Sequence, residues 1–311
     1  MSPNIYTEQG KNVRKTWLLM TLFFVLIILI GYFFAYYYQN SAILIFAILF
    51  SIIMNILSYW YSDKIVLKIH RAREATRQDF FDLYTVTENL AITAGLPKPK
   101  IYIIDDPAPN AFATGRNKDH AVVCVTTGLL TMLNRTELEG VISHELSHIG
   151  NRDILLSTAV VVLAGFIALL SHMFLRSLWF GGNRRNDGEA GGILMIIGIV
   201  LAILAPISAT LIQLAISRKR EFLADADGVL LTRYPEGLAN ALRKISANPM
   251  PMQTASNATA HLFISNPFAL PAEARSGSED AKAGSGRNFF SGLFNTHPPV
   301  EERINALLGH Q

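Results

Sequence analysis

Four stretches of almost unbroken apolar residues dominate the chain, at about 17–36, 42–60, 154–174 and 193–216. Each approaches the ~20 residues that a helix needs to cross a bilayer, so the pattern predicts four transmembrane helices. The first does not read as a cleavable leader: it is too long, lacks a small-residue cleavage site, and is followed at once by another apolar run. Elsewhere the period changes. In 74–94, Phe80, Leu83, Leu90 and Ala94 recur roughly at helical spacing, and Gly95 and Pro97 end the helix. "KIYIID" and "AVVCVT" read as strands, with "DPAPNAFATG" between them as loop or edge strand. The small, polar segment 276–287, "SGSEDAKAGSGR", reads as a flexible loop.

Composition agrees with a membrane protein. Half of the 311 residues are hydrophobic and only 16% are charged, too apolar a mixture for an ordinary soluble enzyme. The net charge of +3 is small, and its basic residues flank apolar runs instead of forming one patch, which argues against a nucleic-acid partner. Lys11, Arg14 and Lys15 precede the first run; Lys64, Lys68, Arg71 and Arg73 follow the second; Arg218, Lys219 and Arg220 follow the fourth. By the positive-inside rule both termini and the segment 62–153 are cytoplasmic, although Arg176, Arg184 and Arg185 in the last hairpin do not fit. The single cysteine, Cys124, excludes an intrachain disulfide and reads as a small buried apolar residue.

The chemistry sits in "VISHELSHIGNRD", at the edge of the third apolar run. Thr136 and Glu139 fit a capping box that starts a helix there. On that helix His144 and His148, four apart, share one face and can offer imidazole nitrogens to one Zn²⁺. Glu145 is offset around the helix and suits a general base, the logic of the H-E-x-x-H motif. Catalytic zinc takes three protein ligands. The metzincin extension fails, because Asn151 and Ile154 stand where Gly and His are required. The third ligand is sought in "SRKREFLADADG": Glu221 can ligate, and Asp225, four residues on, can hydrogen-bond the far nitrogen of a ligand histidine. If the third and fourth runs form a hairpin, its two ends bring His148 and Glu221 together.

These pieces resemble the HtpX family of integral-membrane zinc endopeptidases, relatives of the CaaX prenyl proteases. The matching stretches are the paired N-terminal runs, "NAFATG" at 110–115, "HELSH" at 144–148, the inserted hairpin, "REFLADADG" at 220–228 and "HPPVEERI" at 297–304. The resemblance implies one zinc ion on His144, His148 and Glu221, with Glu145 as catalytic acid/base. It implies an α-rich α+β membrane protein: four transmembrane helices plus a gluzincin-like cytosolic zinc metalloprotease domain with a small sheet. The expected layout is a transmembrane pair at 1–62, a first catalytic part at 63–153, a transmembrane hairpin at 154–217 and a second catalytic part at 218–311. Location in a bacterial inner membrane is expected, with misfolded or damaged membrane proteins as substrates.

Asn110, Ala111, Phe112, Ala113 and Thr114 are candidate substrate-binding residues, since an edge strand there can pair with an extended peptide. An ordinary loop held by Asn110 and Gly115 is the plainer reading. In "HPPVEERI", His297 or Arg303 is a candidate to stabilise an oxyanion or organise the acidic residues; the plainer reading is a helix with Pro299 at its start. His70, His120, His172, His261 and His310 have no ligand partner at useful spacing. The rival reading is a zinc-binding transporter or sensor. A transporter places ionisable groups inside its spans, where this chain has only His172 near an end, and a sensor has no use for Glu145.

Overall fold

The computed structural model describes residues 5–181, 217–269 and 298–309. The fourth apolar run, Arg184, Arg185, the polar segment 276–287, His297 and His310 lie outside the described residues, as do the side chains of His172 and Arg176.

Helices α1 (Ile5–Tyr37) and α2 (Ser41–Trp60) form an antiparallel hairpin. Asn40 caps α2 by accepting a hydrogen bond from Ala42 N at 3.0 Å. The helices pack closely because Gly31 faces Ala47, where a Cβ on the glycine would lie 2.3 Å from the alanine methyl. Leu18, Leu22, Leu29 and Phe33 on α1 and Phe46, Leu49 and Ile53 on α2 remain exposed, an apolar surface suited to lipid.

The third apolar run is helix α7 (Asp153–Gly181), which meets α6 (Arg135–Gly150) at a corner of 83°. Its residues Leu156, Val160, Leu163 and Ile167 pack with Leu19, Phe23 and Met54 of α1 and α2. Phe50 and Phe166 touch at 4.9 Å between centroids. Against the four predicted spans, two helices among the described residues are long and apolar enough to cross a membrane, or three if the bent pair α6–α7 counts as one. The fourth run lies outside the described residues, and the described side chains of α7 pack largely against protein.

The remaining elements build a mixed four-stranded sheet of order β1-β2-β4-β3. β1 (Arg73–Glu74) is antiparallel to β2 (Lys100–Ile104), β2 runs parallel to β4 (Ala121–Thr126), and β3 (Ala111–Gly115) is antiparallel to β4. Every residue of β3 and β4 is buried, because helices cover both faces. On one face Ala111, Ala113, Val123 and Val125 join the core under α4 (Phe81–Thr93) and α6. On the other, Phe112, Val122 and Cys124 meet Val66 of α3 (Ser62–Ile69), Val161 of α7 and Phe263. Cys124 is fully buried and burial pushes its thiol well up, so it is no nucleophile.

The helix predicted over 74–94 begins only at Phe81, because Thr76 and Asp79 close a turn before it: Asp79 N donates to Thr76 Oγ1 at 3.1 Å. Gly95, at φ 64°, ends it, with Leu96 N donating back to Ala91 O. α5 (Thr127–Met132) then leads into α6. The chain continues after α7 with α8 (Arg218–Thr232) and α9 (Pro235–Ala247), and α10 (Val300–Leu308) closes the described residues.

Candidate metal centre

Helix α6 carries the site, and its start differs from the expectation. Asn134, not Thr136, is the N-cap: Glu137 N donates to Asn134 Oδ1 at 3.0 Å and Asn134 N donates to Glu137 Oε2 at 2.9 Å. Both "NRTE" and "TELE" match the capping pattern. The first prevails because Glu137 is buried and meets Lys244 of α9 at 2.7 Å, whereas Glu139 lies outside and pairs with Arg135. The helix is clamped along its length by small residues. A Cβ on Gly140 would fall 2.5 Å from Leu238 N of α9, and one on Gly228 of α8 3.1 Å from His144 N. α8 therefore reaches α6 closely where the histidines stand, and it brings Glu221 and Asp225 with it.

One ligand atom each from His144, His148 and Glu221 lies within 4.8 Å of the other two. His144 Nε2 and His148 Nε2 stand 3.2 Å apart. Glu221 places Oε2 3.8 Å from the first and Oε1 3.6 Å from the second. Each imidazole is held from behind by a carboxylate: His144 Nδ1 by Asp225 Oδ1 at 2.9 Å, His148 Nδ1 by Asp153 Oδ2 at 2.9 Å. At this separation the two Nε2 lone pairs repel unless a proton or a metal cation sits between them, and with a proton on each Nδ1 both lone pairs can turn to a metal. A tetrahedral metal ion with bonds of about 2.0–2.1 Å to nitrogen sets two ligand nitrogens about 3.3 Å apart. The donor set therefore fits a divalent metal.

Arg303 of α10, 1% exposed, organises the acidic side of the site. Its Nε donates to Asp225 Oδ2 at 2.8 Å and one terminal nitrogen donates to Asp225 Oδ1 at 2.6 Å; the other is 3.9 Å from Glu221. This bidentate grip holds the Asp225 carboxyl below its ordinary range even though burial pushes it up. The guanidinium is also 3.5 Å from His144 Nδ1, but that nitrogen's partner is the closer Asp225. Pro299 is the N-cap of α10, one residue before the helix.

Glu145 is 2% exposed, and the nearby Ala113 backbone of β3 favours its carboxylate form. Burial raises its pKa to about 7; the positive charges of His148 and Arg303 pull it down and Glu221 pushes it up. Burial likewise lowers His144. For His148 burial acts downward, but the Asp153 hydrogen bond and the Glu221 charge outweigh it and raise the pKa to about 9. A carboxyl that exchanges its proton near neutrality, beside a metal site, is what a general base requires.

The candidate substrate strand is more enclosed than its sequence suggests. Asn110 spends its side chain on the segment after α9, donating to Ser265 O at 3.0 Å and accepting from Ser265 N at 3.2 Å. Ala111 O, on the outer edge of β3, accepts from Ile264 N at 3.0 Å. Phe112 is buried against Phe263 and His70, and Thr114 Oγ1 is 3.0 Å from Thr158 Oγ1. Asp153 was absent from the sequence reading. Its signal was an acidic residue five positions after His148, at the mouth of an apolar run.

The profile of Peptidase family M48 matches residues 77–311. The chain belongs to peptidase family M48. Among curated relatives named "Protease HtpX homolog", that of Caldanaerobacter subterraneus subsp. tengcongensis is 48% identical over 308 residues, 97% of this chain and 97% of its own. That of Thermoanaerobacter pseudethanolicus is 47% identical over 309 residues, again 97% of each chain. Among solved structures, S. mikatae Ste24p aligns with a TM-score of 0.47 at 19% identity, covering 94% of this chain and 66% of the other. The M48 chain is a membrane metallopeptidase, and its HELSH helix is the one that carries the paired histidines.

Proposed function

We propose that this peptidase is a zinc-dependent endopeptidase of a bacterial inner membrane, with four spans and with both termini and the active site cytoplasmic. It cleaves misfolded or damaged membrane proteins. The observation that carries this reading is the meeting of two imidazoles and the Glu221 carboxylate within 4.8 Å, next to a buried Glu145 that ligates nothing in that set.

Zinc, when bound by His144, His148 and Glu221, supplies Lewis acidity to the scissile carbonyl and to the attacking water. Glu145 takes a proton from that water on its carboxylate and passes it to the leaving amine. Asp225 and Asp153 keep both Nδ1 protons in place, so that each Nε2 remains a lone-pair donor. Arg303 holds Asp225 in register and lies near Glu221, on the acidic side of the centre. The substrate backbone runs along the outer edge of β3, Ala111 to Thr114, with Asn110 anchoring the start of the strand. Ala113 N–H, which lies near Glu145, and Ala111 O, which now accepts from Ile264 N, are the groups it engages.

Water and an ionised carboxylate are both needed, which places the chemistry at the membrane surface instead of in hydrocarbon. A transporter or sensor has no role for a buried Glu145. The test is cleavage of a membrane-protein substrate by metal-stripped and zinc-restored samples of wild type and Glu145→Gln. Expected is activity in zinc-restored wild type alone, with zinc still bound by Glu145→Gln. Cleavage by that variant at the wild-type rate refutes the assignment.

A further inference from the structure

A helix leaves its last carbonyls without intrahelical partners. At the 83° corner between α6 and α7 those carbonyls are met by α1, from the far end of the chain. Gln9 Nε2 donates to Gly150 O at 2.6 Å and Asn12 Nδ2 donates to Asn151 O at 3.1 Å. The same Asn12 amide also donates to Asp153 Oδ1 at 2.6 Å. Asp153 Oδ2 faces His148 Nδ1 at 2.9 Å, so one carboxylate links the first membrane helix to a ligand histidine. Asn12 is 1% exposed, on a helix that is otherwise largely apolar. A buried amide that merely docked a helix would need only the backbone carbonyl; this one is also spent on the carboxylate that orients His148.

Rotation of the Asp153 carboxylate about its terminal torsion is soft. With Oδ1 pinned, Oδ2 is held toward the imidazole, and Arg220 Nε at 3.7 Å from Oδ1 is too distant to do this alone. We infer that Asn12 is a positioning residue of the metal centre: through Asp153 it fixes the plane and tautomer of His148, making α1 a working part of the active site and not only its anchor. This inference rests on the reading of His148 as a zinc ligand.

Three variants of the full-length protein in detergent micelles test it. Asn12→Ala removes the donor. Asn12→Asp keeps the shape and sets an oxygen against the Asp153 carboxylate. Gln9→Ala cuts the neighbouring bond to Gly150 and touches nothing in the site. Zinc affinity is read by competition with a chromogenic chelator, kcat and KM on a fluorogenic unfolded-protein substrate, and Tm by thermal shift. Removing a direct partner of a metal ligand typically costs 10–100-fold in affinity or activity. One step further out, the expected loss of zinc affinity is about 3–10-fold for Asn12→Ala and more for Asn12→Asp. kcat falls while KM holds, and Gln9→Ala keeps the wild-type affinity whatever its Tm. In an Asp153→Asn background Asn12→Ala adds no further loss. Wild-type affinity and kcat in both Asn12 variants overturn the inference, as does an equal loss in Gln9→Ala. A wild type that binds no zinc overturns the metalloprotease reading itself, a result distinct from either.

Discussion

Arg303→Met is the substitution whose effect the structure fixes best. Methionine nearly fills the arginine's volume, so the cavity contribution is small. What changes is charge. Asp225 is 3% exposed, and its two oxygens take hydrogen bonds of 2.8 and 2.6 Å from the guanidinium. Removing one partner of such a buried pair costs about 3–5 kcal/mol, because the other charge stays behind uncompensated. Against a total stability of about 5–15 kcal/mol this is a large fraction, and the Tm should fall on the order of 10 °C. The double variant D225N/R303M removes both charges yet leaves an amide oxygen for His144 Nδ1, so it should be more stable than R303M alone. Thermal shift on metal-stripped protein measures all three forms. If R303M lies within about 0.5 kcal/mol of wild type, or the double variant is no better than the single, then the Arg303–Asp225 pair does not hold this side of the site together.

Zinc binding must displace the proton that His148 carries up to about pH 9, so zinc affinity should climb with pH toward that value. Calorimetry in two buffers of different ionisation heat should count close to one proton released at pH 7.5; none released contradicts the hydrogen-bond scheme. Glu145, raised to about 7 from its ordinary 4.5, binds a proton more tightly folded than unfolded. It therefore stabilises the metal-free fold below pH 4.5, and that contribution is lost as pH rises through about 7. Subtracting Glu145→Gln melting data from those of wild type should expose this slope, and a flat difference removes it. The acid limb of the zinc enzyme's rate profile should lie below about pH 7, since a nearby cation favours the carboxylate. Gly140→Ala drives a methyl to 2.5 Å from Leu238 N and should cost about 1–3 kcal/mol, read as a Tm drop. Gly10→Ala, where a methyl meets nothing, should cost none of that.

Part of this architecture could be read in the residues. The meeting of His144 and His148 follows from helical period alone, and Glu221 from its place at the other end of an apolar excursion. The strand character of "KIYIID" and "AVVCVT" rested on β-branched residues buried on both faces, and both runs lie in the sheet. The helix start at Asn134 was harder, because two overlapping tetrapeptides satisfy the same pattern; burial of Glu137 beside Lys244 decides between them. The bonds from Asn12 to Asn151 and Asp153 span 139 and 141 residues, and no local period announces them. Arg303 was legible only as one of two candidates in "HPPVEERI", since its role depends on α10 packing against α8 and α9. The number of spans was read from apolar composition alone: among the described residues two helices meet that measure, or three with the bent pair α6–α7 counted as one, and the fourth run lies outside them.

The parts of the centre are scattered along the chain: Asn12 near one end, His144 to Asp153 in the middle, Glu221 and Asp225 beyond a long apolar detour, Arg303 late. Synthesis delivers them in that order. A ribosome that has made everything through His148 has produced two histidines without their third partner. A complete set of three ligands thus cannot exist before Glu221 has been made, well past the middle of the chain.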